Sequence, residues 1–112
     1  MALTLKYTAS KIDELEREKK KPIVACLDDT TISNLASFIE KGKVNEDGRI
    51  GCSRAVAFAE IDDYMAAGGD TDGLLLDIIE ALVDAGFLSR NLNVQLIKQT
   101  AKQKIDQAIK TL

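Results

Sequence analysis

Apolar residues recur every three or four positions through most of this chain, and stretches of strict alternation are nearly absent. Ile12 and Leu15 fall on one side of a highly charged stretch. It opens at Ser10, which reads as an N-cap with Asp13 at the third helical position, and closes at Lys19-Lys20-Lys21, where cations suit the helix dipole. Pro22 stops that helix or opens the next turn. The run Ile23-Val24-Ala25-Cys26-Leu27 fits a buried strand or a single helical turn, and periodicity does not separate the two. Thr30 or Thr31 caps a clearer helix carrying Ile32, Leu35, Ala36, Phe38 and Ile39, with Gly42 at the place of a left-handed cap. Past the Asn45-Glu46-Asp47-Gly48 turn, Ser53 caps a helix from about Arg54 to Ala67, with Val56, Phe58, Ala59, Ile61 and Met65 as its apolar members. Gly68-Gly69 ends it. Asp70 or Thr71 starts the next, whose broad stripe of Leu74, Leu75, Ile78, Ile79, Leu82 and Val83 predicts the most buried helix. Gly86 caps it, and Phe87 or Leu88 folds back on its last turn. Asn93 caps a last helix in which Val94, Ile97, Ala101, Ile105, Ala108 and Leu112 recur beside Lys98, Lys102 and Lys110.

This pattern predicts an all-α fold, a compact bundle of about five helices forming one domain over residues 1–112. Leu3 to Thr8 alternates apolar and polar, which suits one short strand. A lone strand has no partner for its backbone, so residues 1–9 read as an extended arm or an edge added to something else. The helix over 94–112 can project from the bundle, because its apolar stripe is narrow and its opposite face is rich in Lys and Gln. Such a stripe is a seam for one neighbour, within the chain or from another chain, and packing within the chain is the favoured reading.

Length and composition narrow the function. With 112 residues, 46% hydrophobic and 29% charged, the chain has the balance of a globular domain. No apolar run of about 18 residues exists to span a membrane. Met1 to Lys11 has neither an apolar signal core nor a small-residue cleavage site, which predicts a cytosolic chain. There is no His, so neither a Ser-His-Asp nor a Cys-His nucleophile can be assembled, and no His-containing zinc site. Cys26 and Cys52 stand apart without a Cys-x-x-Cys pairing and read as reduced thiols, small hydrophobes in or near the core. Charge is uneven: residues 1–22 carry six Lys/Arg against four Asp/Glu, residues 23–90 five against thirteen, and residues 91–112 four against one. An acidic centre repels a phosphate backbone, and the basic C-terminal stretch has no aromatic residue to stack on a base, so no nucleic-acid partner is expected.

The remaining motifs have plain explanations. Asp70-Thr71-Asp72-Gly73 fails as a calcium loop: with Gly73 at the sixth position, Gly68 stands first and Ile79 twelfth, where Asp and a bidentate Glu are required. Asp70 and Thr71 read as capping residues instead. Asp28-Asp29 and Asp62-Asp63 are adjacent carboxylates, which diverge by about 100° on a helix and do not converge on one ion. Gly68-Gly69 lacks the Lys and Ser/Thr of a phosphate cradle, and Lys19-Lys20-Lys21 is offset by Glu14, Glu16 and Glu18. No cofactor, no metal and no enzymatic activity are expected.

A resemblance supplies what the motifs do not. Lys11-Ile12-Asp13-Glu14-Leu15-Glu16-Arg17-Glu18, followed by Lys21-Pro22-Ile23 and Ile32-Ser33-Asn34-Leu35, is similar to a family of small phage proteins. Gly51-Cys52-Ser53 leading to Ala57-Phe58-Ala59-Glu60-Ile61-Asp62-Asp63-Tyr64 continues it. So do the Gly68-Gly69-Asp70-Thr71-Asp72 turn, Leu74-Leu75-Leu76-Asp77-Ile78, and Ala85-Gly86-Phe87-Leu88-Ser89-Arg90-Asn91-Leu92. The family is the tail assembly chaperones of long-tailed phages and prophages of Gram-positive bacteria, and the likeness runs over about residues 6–93. It implies an all-α chaperone that coats the long helical tape-measure protein in the host cytoplasm and recruits tail-tube subunits. It also implies departure before the virion is complete, and in many members a longer form made by ribosomal frameshifting. Residues 94–112 carry no part of the likeness.

The expected contact surface is the seam of Val94, Ile97, Ala101 and Ile105, with the exposed part of Ile32, Leu35 and Ile39 second. The same seam can pair with its own copy, so self-association is expected as well. A small helical adaptor or regulatory protein, binding a phage or host protein, is the alternative.

Overall fold

The computed structural model describes residues 3–88, which form an all-α body of five helices. They are α1 (Ala9–Lys19), α2 (Ile23–Cys26), α3 (Ile32–Gly42), α4 (Arg54–Ala66) and α5 (Thr71–Asp84). The ambiguous apolar run after Pro22 is thus a single helical turn, and it takes one of the five places. The helix expected over 94–112 lies outside the described residues.

Local capping chemistry sets most of the boundaries. Ser53 Oγ accepts from Val56 N as the sequence predicts, and of the paired candidates Thr31, accepting from Asn34 N, and Asp70, accepting from Gly73 N, are the caps. The first boundary differs. Thr8, extended at φ −112°, caps α1 by accepting from Lys11 N, so Ser10 lies inside the helix. Lys20 then takes the left-handed conformation at φ 58° and ends α1. The next turn is capped from a distance, with Ile23 N donating to Glu16 Oε2 at 2.9 Å.

The most buried helix is α3, not α5. Asn34, Leu35, Ala36, Ser37, Phe38, Ile39 and Gly42 are all buried, and α3 packs against α1, α4 and α5. Burial on α5 is confined to Leu74, Leu75, Ile78, Ile79 and Leu82, the stripe that faces α3 and the rest of the core. At the other end of α5, Gly86 is left-handed at φ 90° and Phe87 N donates to Leu82 O, closing the expected C-cap over buried Leu88.

The arm does have a partner. Lys6 N donates to Gly42 O at 2.8 Å and Val44 N to Thr4 O at 2.9 Å, so the chain before α1 pairs with the chain leaving α3. Val44 bridges in turn to Ile50 across the Asn45–Gly48 turn. These isolated bridges hold the ends of α1 and α3 together without building a strand. Tyr7 follows the arm inward. Its ring stands edge-on to Phe38 at 84°, and its hydroxyl donates to Phe38 O at 2.9 Å.

This contact explains Gly42, which belongs to the last turn of α3 and does not adopt a left-handed cap. A Cβ there would stand 2.5 Å from Tyr7 Cζ and 2.6 Å from Cε1. The residue is glycine because the ring occupies that space.

Candidate partner-binding surface

The residues named from sequence divide three ways. Val94, Ile97, Ala101 and Ile105 lie outside the described residues. Leu35 and Ile39 are 0% exposed, enclosed in the core, and cannot form a contact surface in the folded chain. That corrects the expectation of an open stripe along α3: its apolar face is fully used by α1, α4 and α5. Ile32 alone of this group is open to solvent, because it sits at the N-terminal end of α3 beyond the overlap with its neighbours.

The surface that sequence reasoning missed is on α4. Ala57 and Ile61 are its buried members, whereas Val56 and Phe58 point outward, each 41% exposed. The signal was present. Residues 55 to 59 read Ala-Val-Ala-Phe-Ala, five consecutive apolar positions that turn through more than a full circle at about 100° each. Such a run covers every side of a helix and cannot all face one core.

Arg54 fixes one border of this surface. Its guanidinium donates to Ser33 Oγ, to Ser33 O at 2.9 Å and to Ser37 Oγ at 3.2 Å, and pairs with Glu40 at 3.1 Å. Its carbon Cζ lies 5.5 Å from the centre of the Phe58 ring. The start of α4 is thereby tied to α3, with Phe58 left on the solvent side. The far end is acidic: Asp62 and Asp63 are exposed, and no ion pair to either occurs among the described residues.

The titratable groups elsewhere have structural settings. Tyr64, on the inner side of α4, is pushed up to about 12, first by burial and then by the Asp77 carboxylate. Burial raises the Cys26 and Cys52 thiols, and both are free, with Cys26 inside the core and Cys52 half-buried beside it. Asp29 accepts from Thr31 N at 2.9 Å, a backbone hydrogen bond that lowers its carboxyl. Asp70, the residue that opened the calcium-loop question, is spent on the α5 cap. Among the described residues no group of three or more Cys, Asp or Glu side chains could hold a metal ion, and no helix is long and apolar enough to cross a membrane. What the surface of α4 offers is an apolar, helix-shaped contact with an acidic end, suited to packing against another helix. The chain matches no protein-family model, no curated protein and no solved structure.

Proposed function

We propose that this protein is a non-catalytic tail assembly chaperone of a long-tailed phage or prophage. It binds the tape-measure protein in the host cytoplasm, recruits tail-tube subunits to it, and leaves before the virion is finished. The observation that carries this reading is the pattern of residues over 6–93 that resembles the tail assembly chaperones. A helical body with an apolar helix face left open on α4 is compatible with the task of covering another protein's helices.

The mechanism is side-by-side helix packing. The seam of Val94, Ile97, Ala101 and Ile105 packs along an apolar stripe of the tape measure, hiding surface that would otherwise aggregate, and exposed Ile32 is the second candidate contact. The excess of basic residues over 91–112 adds to the attraction for an acidic stretch of partner.

The test is co-purification of tagged protein from cells producing the phage or prophage, with partners identified by mass spectrometry. Recovery of a very long helical protein together with tube subunits supports the chaperone. A double substitution, Ile97→Asp with Ile105→Asp, should abolish that recovery while circular dichroism shows the helices intact. Recovery of a host enzyme and no tape measure would replace this reading with the adaptor.

A further inference from the structure

We infer that the segment 94–112 of this chain docks back into the groove between the N-terminal arm and the C-terminal half of α4, held there by its apolar stripe and its lysines. This says where the packing within the chain expected of that segment takes place. It does not depend on the chaperone reading. Under that reading the docked segment is the resting state that the tape measure displaces.

The groove consists of two adjoining hollows of about 590 and 370 Å³, which share Leu3, Glu60, Asp63 and Ala67 as walls. Leu3 and Ala67 give it an apolar floor, which Val44 extends on the side of the loop after α3 and Tyr64 on the side of α5. Carboxylates stand around this floor. Glu46 and Asp63 are exposed and join no ion pair among the described residues. Asp77 accepts from the Tyr64 hydroxyl and meets no cation among them either. Lys43 is the one basic residue of the lining, and it is spent on Glu60 at 3.3 Å. The groove is therefore left with negative charge that nothing in the body balances.

Charge and tether together say what fills it. An apolar groove with an acidic rim takes an apolar segment that carries cations. Residues 94–112 have that chemistry: Val94, Ile97, Ala101 and Ile105 recur beside Lys98, Lys102, Lys104 and Lys110, with Asp106 as the single acid. Reach is sufficient. The chain leaves the body after Leu88, buried just beyond α5, and Asp77 lies seven residues before the end of that helix, about 10 Å along it. Residues 89–93 span up to about 17 Å when extended, and the segment 94–112 covers about 28 Å as a helix. It can thus turn back along α5 and lie over the groove. A tether this short supplies an effective concentration on the order of millimolar, which a separate partner of the same chemistry lacks.

Disulfide trapping in the full chain tests the docking, with Cys52→Ser in every variant to remove the accessible native thiol. Ala67→Cys with Ala101→Cys should close under mild oxidation to a disulfide within one chain, read by mass spectrometry as a 67–101 linked peptide. Glu18→Cys with Ala101→Cys, whose first site lines a different groove beside α1, should close far more slowly. Glu46→Lys with Asp63→Lys should slow the 67–101 closure by about fivefold, the worth of two exposed ion pairs. Adding Lys98→Glu and Lys102→Glu should restore it. Glu46, Asp63 and Ala67 are exposed, so circular dichroism should show an unchanged fold. Equal closure from positions 18 and 67 overturns the inference, and so does closure that ignores the charge reversals. A disulfide formed only between chains overturns it too, and places a second copy in the groove.

Discussion

Replacing Gly42 by Ala sets two physical effects against each other with opposite signs. Gly42 lies in the last turn of α3, where alanine propensity alone would stabilise the helix by about 1 kcal/mol. The added methyl, however, would sit 2.5 to 2.8 Å from Cζ, Cε1 and the hydroxyl oxygen of Tyr7, well inside van der Waals contact. The ring cannot swing aside cheaply. It is 3% exposed, it stands against Phe38, and its hydroxyl is bonded to Phe38 O. Moving it forfeits a hydrogen bond of about 1 kcal/mol and imposes an overpacking cost of about 1–3 kcal/mol. The backbone cannot move freely either, because Gly42 O accepts from Lys6 N and so anchors the arm. The net expectation is a loss of about 1–3 kcal/mol, measured as a lower urea midpoint at unchanged slope. Tyr7→Leu is itself destabilising, but in that background the same glycine substitution should cost much less, the coupling that a double-mutant cycle isolates. A Gly42→Ala protein as stable as wild type, or more so, would refute the reasoning and mean that the Tyr7 ring does not fill this space in solution.

Asn34→Asp should cost about 2–4 kcal/mol, because the Asn34 amide nitrogen donates to both Cys26 O and Asp29 O inside the body and a carboxylate can donate to neither; urea denaturation at neutral pH checks it. Tyr7 and Tyr64 are both raised by burial, Tyr64 to about 12. The unfolded chain therefore loses its tyrosine protons first, near pH 10, and stability should fall as pH rises from about 10 to about 12. Tyrosinate absorbance should then appear together with loss of helical circular dichroism, and its appearance at pH 10 with the helices intact would contradict the burial. Cys26, fully buried, should react with a thiol reagent only as fast as the body opens, whereas half-buried Cys52 should react sooner; mass spectrometry of the labelled chain distinguishes the two.

Much of this architecture is legible in the sequence where the cause is local. Thr31, Ser53, Asp70 and Gly86 act where the sequence places them, because a cap depends on a few consecutive residues. Gly42 escapes the same logic, since its reason is a ring 35 positions away in the chain. Thr8 displaces Ser10 because the arm pairs with residues 42 to 44 and delivers Thr8 in the extended conformation a cap requires. The arm's partner is itself invisible to periodicity, being a two-residue bridge in a loop. On α4, period alone could not decide between two apolar faces. Of the Val56, Phe58, Ala59, Ile61 and Met65 that it names, the structure buries Ile61 and packs Met65 partly against the core, adds Ala57, and leaves Val56, Phe58 and Ala59 exposed. Ala57 turns inward because α4 packs against α3, and Arg54 ties the two together. Of the surface expected to meet a partner, only Ile32 is found exposed among the described residues, since the rest of its stripe is consumed by the core.

The two faces of α4 therefore do different work. Stability is concentrated in α3, whose seven buried residues meet three neighbouring helices and whose end is clamped by Tyr7 and the arm. The part of α4 that the fold uses is its inner side: Ala57 and Ile61, Tyr64 and Met65 partly buried against the core, and the Arg54 network. Val56 and Phe58 contribute little to the core, yet keeping two large apolar side chains in water is unfavourable, by about 25 cal/mol for each Å² that stays wet. Within the folded monomer that cost has no return. Arg54 faces the other way, toward α3, where Glu40 at 3.1 Å balances its charge and Ser33 and Ser37 accept from its guanidinium. One side of α4 thus secures the helix to the body through Arg54, Ala57 and Ile61, and the other keeps Val56 and Phe58 open to solvent.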